Sequence, residues 1–284
     1  MKPDVSKHKI KVYYSLFQHK SALNLKIFLS LQKNKATDMN TTPLISIITI
    51  TFNAEKHILP TLESVAQQKC TNYEHIIVDG ASSDRTVALA RTFKGVRIMS
   101  EPDGGLYDAM NKGIALARGK YLLFLNAGDT FHNDLVLGAY AERAEKDDDI
   151  IYGDTVIVDK ARHIIGKRHL TAPPALTFDS FAKGMLICHQ AFMVRKDIAP
   201  QYDLQYRFSA DYDWTVKCIA KSDPRRCTNL GLITIDYLSD GLTDKNKLKS
   251  LRERFRIMTH HYGTARTCAN HVGFVLRALH RKLF

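Results

Sequence analysis

From residue 43 the chain settles into a repeating pattern of short apolar runs and amphipathic stretches. Residues 44–50 form an apolar, β-branched run of the kind that becomes a strand buried on both faces. After it, Asn53 opens a stretch to Gln68 in which Ile58, Leu59, Leu62 and Val65 share one helical face. The alternation continues as strand 75–78, helix 84–93, strand 96–99, helix 106–117 and strand 121–125. Strands that alternate with helices in this way predict right-handed βαβ units, hence an α/β fold with a mostly parallel central sheet flanked by helices. Ligands of such sheets bind beyond the carboxyl ends of the strands. The loops there are 51–53, 79–84, 101–105 and 126–129, and three of the four carry Asp.

Beyond residue 149 the pattern loosens. Residues 151–158 and 164–168 predict a hairpin about a turn at 159–162. An apolar helix near 176–181, a strand at 191–194, a helix from Asp211 to about Ala220 and a strand at 232–237 follow. The last stretch, 266–284, spaces Val272, Val275, Leu276, Leu279 and Leu283 as one helical face among basic residues. That pattern suits a helix lying on a bilayer, and equally one covering the sheet or a dimer partner.

Charge changes the picture at the two ends. The formal net charge is +12. Residues 1–42 hold eight Lys against two Asp, and residues 252–284 hold seven Arg or Lys against Glu253. The stretch between them, with 26 basic and 26 acidic residues, is neutral. A nucleic-acid binder would weave its positive charge into the folded body, so nucleic acid is not an expected partner. Basic ends beside a neutral body instead suit an anionic membrane surface. Residues 1–42 read as a basic extension, either solvated or touching a membrane, and Met39 is an alternative start just before the first strand. The five cysteines form no CxxC pair, which suits a reducing cytosol. No apolar run reaches the roughly 18 residues of a spanning helix, and no signal-peptide pattern stands at the start. A cytoplasmic protein attached peripherally to the inner face of the membrane is the expectation.

The turn after the first strand, Thr51-Phe52-Asn53-Ala54-Glu55, has no glycine, and no GxxxxGK[ST] occurs. Dinucleotide-dependent oxidoreductases and P-loop NTPases therefore recede. Asp79, at the end of the second strand, is placed to accept hydrogen bonds from a base or ribose hydroxyl. Asp84 is placed as a helix cap. Asp129 follows Asn126-Ala127-Gly128, either as a turn residue or as a carboxylate for a divalent cation that relieves a diphosphate leaving group. Asp211 and Asp213 begin a predicted helix, as caps or with one of them a general base. Trp214 packs behind that base or lines a sugar pocket. His189, with Gln190 after it, lies in an apolar region where a histidine is ordinarily a core residue.

Five segments in this order, ISIITITFNAE (45–55), DGASSDRT (79–86), SEPDGGLYDAMNKG (100–113), YLLFLNAGD (121–129) and SADYDW (209–214), resemble the inverting family 2 glycosyltransferases of the GT-A, nucleotide-diphospho-sugar transferase fold. The third segment resembles the branch that builds bacterial exopolysaccharide, capsule and lipopolysaccharide, including colanic-acid-type enzymes. The resemblance covers about residues 43–240. It implies a catalytic domain with a nucleotide-binding half (43–130) and an acceptor-binding half (131–240), followed by a basic helical region (241–284). It also implies that Asp79 contacts the donor base with Thr51, Asn53 and Glu55 beside it. Asp103, Asn111 and Lys112 would line the pocket near the phosphates and sugar. Asp129 would hold Mg²⁺ or Mn²⁺, Asp211 would deprotonate the acceptor, and His189 and Gln190, with Trp214, would stand on the acceptor side.

Two departures stand out. The family's Asp-x-Asp reads Asn126-Ala127-Gly128, and the Glu of its Glu-Asp pair is Ala210. The processive Gln-x-x-Arg-Trp motif is absent from the sequence. The expected activity is a single, non-processive transfer of a sugar from a nucleotide-diphospho-sugar to a glycan or lipid-linked oligosaccharide. The alternative is a non-catalytic, nucleotide-sugar-binding scaffold of a polysaccharide assembly complex. A nucleotidyltransferase would require a Gly-rich basic loop after the first strand, which 51–55 does not provide.

Overall fold

The computed structural model describes residues 42–239 and 247–272. Over 42–131 the predicted alternation is present. Strands β1 (Ile45–Thr51), β2 (Tyr73–Asp79), β3 (Val96–Ser100) and β4 (Tyr121–Phe124) alternate with helices α1 (Ile58–Ala66), α2 (Thr86–Arg91) and α3 (Leu106–Leu116). They lie side by side as β3-β2-β1-β4, all parallel. Every residue of β1 and β4 is buried, as expected for strands covered on both faces. Helix α3 comes close enough to the sheet that a Cβ on Gly113 would lie 2.5 Å from a methyl of Ile48.

The sheet then changes direction. β4 pairs antiparallel with β8 (Phe192–Arg195), and β8 pairs antiparallel with β6 (Ile150–Val158). β6 runs parallel to β9 (Cys227–Leu238), which closes the order against the two-residue β5 (Thr130–Phe131). The predicted hairpin is β6 with β7 (Ile164–Lys167). The sheet is thus parallel through its first half and mixed through its second. α4 (Val136–Ala144) was not predicted, and it contributes Val136, Leu137, Tyr140, Ala141 and Ala144 to the core.

Several boundaries moved, for local reasons. The first helix starts at Ile58 and not at Asn53. Asn53 has a left-handed φ of 48°, and the N–H groups of Asn53, Ala54 and Glu55 donate to Ser82 Oγ, Thr86 Oγ1 and Asp84 Oδ2. Those residues are used in tying two loops together. The helix expected near 176–181 is a 3₁₀ turn, Phe178–Lys183, started by a capping box between Thr177 and Ser180. α5 (Ala210–Lys221) holds the SADYDW segment, and α6 (Lys247–Tyr262) packs against it. Of the expected terminal helix, residues 264–272 are helical. The rest of that prediction, and the extension 1–41, lie outside the described residues.

Candidate functional site

The carboxyl ends of β1, β2 and β3 deliver three loops to one place. Asp79 organises them. Its Oδ1 accepts from the hydroxyls of Thr51 (2.8 Å) and Ser82 (2.5 Å), and its Oδ2 from Ser82 N–H (2.9 Å) and Ser100 Oγ (2.7 Å). Burial is the largest influence on this acid and works to raise its pKa. The four donors together overcome it and hold the pKa below the usual carboxylate value. Asp79 has no exposed surface. In this geometry its carboxylate is spent on ordering the hydroxyls of Thr51, Ser82 and Ser100. Asn53 Oδ1 accepts from Ser83 N–H at 2.9 Å and Glu55 from Arg85 N–H at 3.1 Å, so both stitch the same two loops. Asp84 accepts from Thr86 N–H at 2.9 Å, one residue before the N-cap position of α2, which is Arg85.

The third loop brings Asp103 against the backbone of Gly80. A Cβ at Gly80 would lie 2.5 Å from Asp103 Oδ2 and 3.4 Å from the ring of Phe52. Phe52 is 67% exposed, so an aromatic face and a carboxylate share this rim. Sequence reasoning passed over Phe52. The available signal was an aromatic residue placed between Thr51 and Asn53, where a strand has already ended.

Asn111 and Lys112 act beneath the rim. Asn111 exchanges two hydrogen bonds with the backbone of Tyr202, at 3.0 and 2.7 Å. Lys112 donates to the carbonyl of Pro102 and pairs with Glu101, both at 2.8 Å. The bond to Glu101 is the main reason its pKa is raised. Lys112 thereby ties down the 101–105 loop.

Four residues after Asp103, in the first turn of α3, the Tyr107 hydroxyl donates to Asp211 Oδ1 at 3.1 Å. Asp211 is half-buried at the start of α5. This bond links the loops around Asp79 to the acid singled out as a base. Under it lies an aromatic stack. Tyr202 packs on Tyr107 at 5.6 Å and on Trp214 at 4.9 Å, and His189 packs against Phe124 at 5.1 Å. Trp214 is fully buried and donates to the Pro200 carbonyl at 2.7 Å. It therefore packs in the core at the start of α5. His189 hydrogen-bonds the Tyr202 hydroxyl at 2.5 Å, and burial pushes its pKa down to about 4. His189 and Gln190 are both buried, in a 3₁₀ turn packed against β4, β6 and α5.

Gln190 leads to Asp129. The Gln190 amide donates to Asp129 Oδ2 at 2.8 Å, and Leu238 N–H donates to Oδ1 at 2.9 Å. Burial raises the pKa of this carboxyl to about 7 against these donors and nearby Arg162. A divalent ion wants one or two ionised carboxylates with free oxygens. Here both oxygens are in use, Asn126 and Gly128 stand where further acids would be, and among the described residues no cluster of three His, Cys, Asp or Glu side chains could hold a metal. Asp129 is therefore a buried brace between β5, β9 and the 190 turn, and the residues present do not fit a metal centre there. The group this loop does offer is Asn126 Oδ1, which is buried with no hydrogen-bond partner. Asn126 lay inside a quoted motif but was not singled out.

Comparison with known proteins bears on this geometry. The family model "Glycosyl transferase family 2" matches residues 46–202. The chain is 33% identical over 226 residues to a PGL/p-HBAD biosynthesis glycosyltransferase of Mycobacterium tuberculosis, covering 74% of this chain and 84% of the relative. It is 25% identical over 219 residues to the Escherichia coli enzyme UDP-Glc:alpha-D-GlcNAc-diphosphoundecaprenol beta-1,3-glucosyltransferase WfgD, covering 76% and 85%. In fold it matches crystal structures of residues 1–349 of Staphylococcus aureus TarS. One has a TM-score of 0.63 at 17% identity, covering 81% of this chain and 72% of that one. Another, in complex with UDP-GlcNAc, has a TM-score of 0.61 at 19% identity, covering 77% and 66%.

Proposed function

The chain belongs to glycosyl transferase family 2, and we propose that it adds one sugar, with inversion, from a nucleotide-diphospho-sugar to a hydroxyl of a lipid-linked glycan. The observation that carries this reading is Asp211. It is a half-buried carboxylate at the start of α5, oriented by Tyr107 from the same segment as the Asp103 loop. In the proposed step Asp211 takes the acceptor's hydroxyl proton. The freed oxygen bonds to the anomeric carbon as the bond from that carbon to the diphosphate breaks. The electron pair leaves with the nucleoside diphosphate. Phe52 offers a ring face for the base, and Asp103 offers an acceptor for ribose or sugar hydroxyls. Nothing in this step passes through a metal at Asp129.

UDP-sugars are the first donors to try, since WfgD is named for UDP-Glc and TarS was solved with UDP-GlcNAc. The lipid-linked acceptor follows the diphosphoundecaprenol in the WfgD name. Exopolysaccharide or lipopolysaccharide assembly on the inner face of the cytoplasmic membrane is the setting this implies. Support for contact with a bilayer comes from α6, which exposes Leu248, Leu251 and Phe255 among Lys249, Arg252 and Arg256.

The test is release of nucleoside diphosphate from UDP-, GDP- and dTDP-sugars in the presence of extracted lipid acceptors. One donor should turn over, and Asp211→Asn should lower its turnover by about 10²–10⁴ while nucleotide binding persists. Undiminished turnover in that variant removes Asp211 as the base. Nucleotide-sugar binding without turnover in the wild type would favour the scaffold alternative.

A further inference from the structure

Helix α5 carries Asp211 in its first turn but does not cap itself: the N-cap residue, Ser209, makes no side-chain bond to the helix. The start of a helix leaves N–H groups without partners, and a cap ordinarily fixes how the chain enters. Here the entry is held from outside. Glu253 of α6 reaches back to the two residues before Ser209. Its Oε1 accepts from Arg207 N–H at 2.9 Å and its Oε2 from Phe208 N–H at 2.7 Å, so both oxygens are engaged. Ser250, one turn earlier in α6 and buried, meets the Ser209 hydroxyl at 2.9 Å. The Lys249 ammonium lies 5.7 Å from the centre of the Phe208 ring. Hydrogen bonds to an ionised carboxylate are roughly twice as strong as neutral ones, which makes Glu253 the principal tie.

Tyr107 holds Asp211 from the opposite side, through the bond from its hydroxyl to Oδ1. Burial foremost, with the charges of Asp211 and then Glu253 behind it, pushes the Tyr107 pKa up, so the hydroxyl keeps the proton it donates. Tyr107 thus fixes one oxygen of the carboxylate, while the backbone that carries it is fixed from α6. The family model ends at residue 202, before both helices.

We propose that Glu253 is a positioning residue for proton transfer at Asp211: it holds residues 207 and 208 so that the carboxylate three residues on meets the acceptor hydroxyl in a productive geometry. The inference rests on Asp211 as the base. Glu253 touches no substrate, and the proton passes from the acceptor oxygen to Asp211 alone. What Glu253 supplies is placement, and a misplacement of about 1 Å can cost about 10²-fold in rate.

With the donor that turns over, kcat and KM would be measured for the wild type, Glu253→Ala, Asp211→Asn and the double variant. Glu253→Ala should lower kcat by about tenfold to a hundredfold and leave the donor KM unchanged. In the double variant the change at 253 should add nothing to the loss from Asp211→Asn, because residues that act as a unit are not additive. A further drop there by the same factor would mark a general structural loss and overturn the proposal. So would an undiminished kcat in Glu253→Ala when Asp211→Asn is impaired. Undiminished turnover in Asp211→Asn is a different failure, that of the base assignment, and it takes this proposal with it. Hydrogen exchange reads the same tie without turnover: the amides of Arg207 and Phe208 should lose protection in Glu253→Ala, and unchanged protection overturns the proposal. Glu253→Gln keeps an accepting oxygen and should show the same pattern with a smaller loss, which carries the test if Glu253→Ala does not fold.

Discussion

Asp129 and Asp213 are both buried acids, and the structure gives their protonation opposite consequences. Asp129 has a pKa raised to about 7, chiefly by burial. Between the unfolded carboxylate value and about 7 the folded chain binds the extra proton, so stability falls as pH rises through that window. Asp129→Asn removes the penalty. The difference in unfolding free energy should therefore shift in the variant's favour from pH 4 to pH 8, by at most about 1.4 kcal/mol per pH unit. Denaturant unfolding at several pH values measures this, and a difference independent of pH would show that Asp129 stays ionised throughout. Much about these acids was legible in the sequence: Asp79 and Asp129 do end strands or follow them, and Asp211 does begin a helix. What strand-end spacing cannot report is how many donors fold around each carboxylate. Four donors enclose Asp79, and two occupy Asp129. These carboxylates also tie loops together, while Phe52 and Arg162 belong to no acidic pattern.

At the scale of elements, α6 decides where α5 begins. Glu253 accepts from the N–H groups of Arg207 and Phe208 at 2.9 and 2.7 Å, and Ser250 hydrogen-bonds Ser209 at 2.9 Å. One turn into α5, Asp213 binds His261 at 2.8 Å and Lys217 at 2.6 Å. Burial acts to raise the pKa of Asp213, and the hydrogen bonds from His261 and Lys217 hold it below the ordinary value. Its stabilisation is therefore present above the unfolded carboxylate pKa and lost as pH falls through the lower folded one. Asp213→Ala should cost about 3 kcal/mol at neutral pH, the usual result of breaking a buried pair. The gap should close at acid pH, the reverse of the trend at Asp129. Hydrogen exchange should show α6 opening in the variant, and unchanged protection there would mean that α6 is held without Asp213. The first-half strands and helices were legible because buried parallel strands are continuous apolar runs. α6 falls in the helical region that the resemblance implied and not in a period of its own, because its face toward α5 is largely polar: Ser250, Glu253 and His261.

For the whole molecule the uneven charge remains the leading fact. The body between residues 43 and 251 is neutral, and the excess lies at the ends of the chain. Among the described residues no helix is long and apolar enough to cross a membrane. α6 nonetheless turns Leu248, Leu251 and Phe255 outward, spaced three and four residues apart, with Lys249, Arg252 and Arg256 exposed beside them. Apolar side chains flanked by cations are what an interfacial helix brings to an anionic leaflet. Each such cation near the surface contributes ~1 kcal/mol, and salt screens that share while leaving the apolar share in place. Co-sedimentation should therefore show binding to phosphatidylglycerol vesicles and little to pure phosphatidylcholine, with release as NaCl rises. Replacing Arg252 and Arg256 with Gln should weaken binding by roughly tenfold to thirtyfold, following from ~1 kcal/mol per charge. Leu251→Glu should weaken it even where salt has removed most of the electrostatic share. If those variants sediment like the wild type, the basic ends carry any attachment without α6. If the wild type shows no preference for the anionic lipid, the charge at the ends needs another partner and the membrane-facing part of the proposal falls.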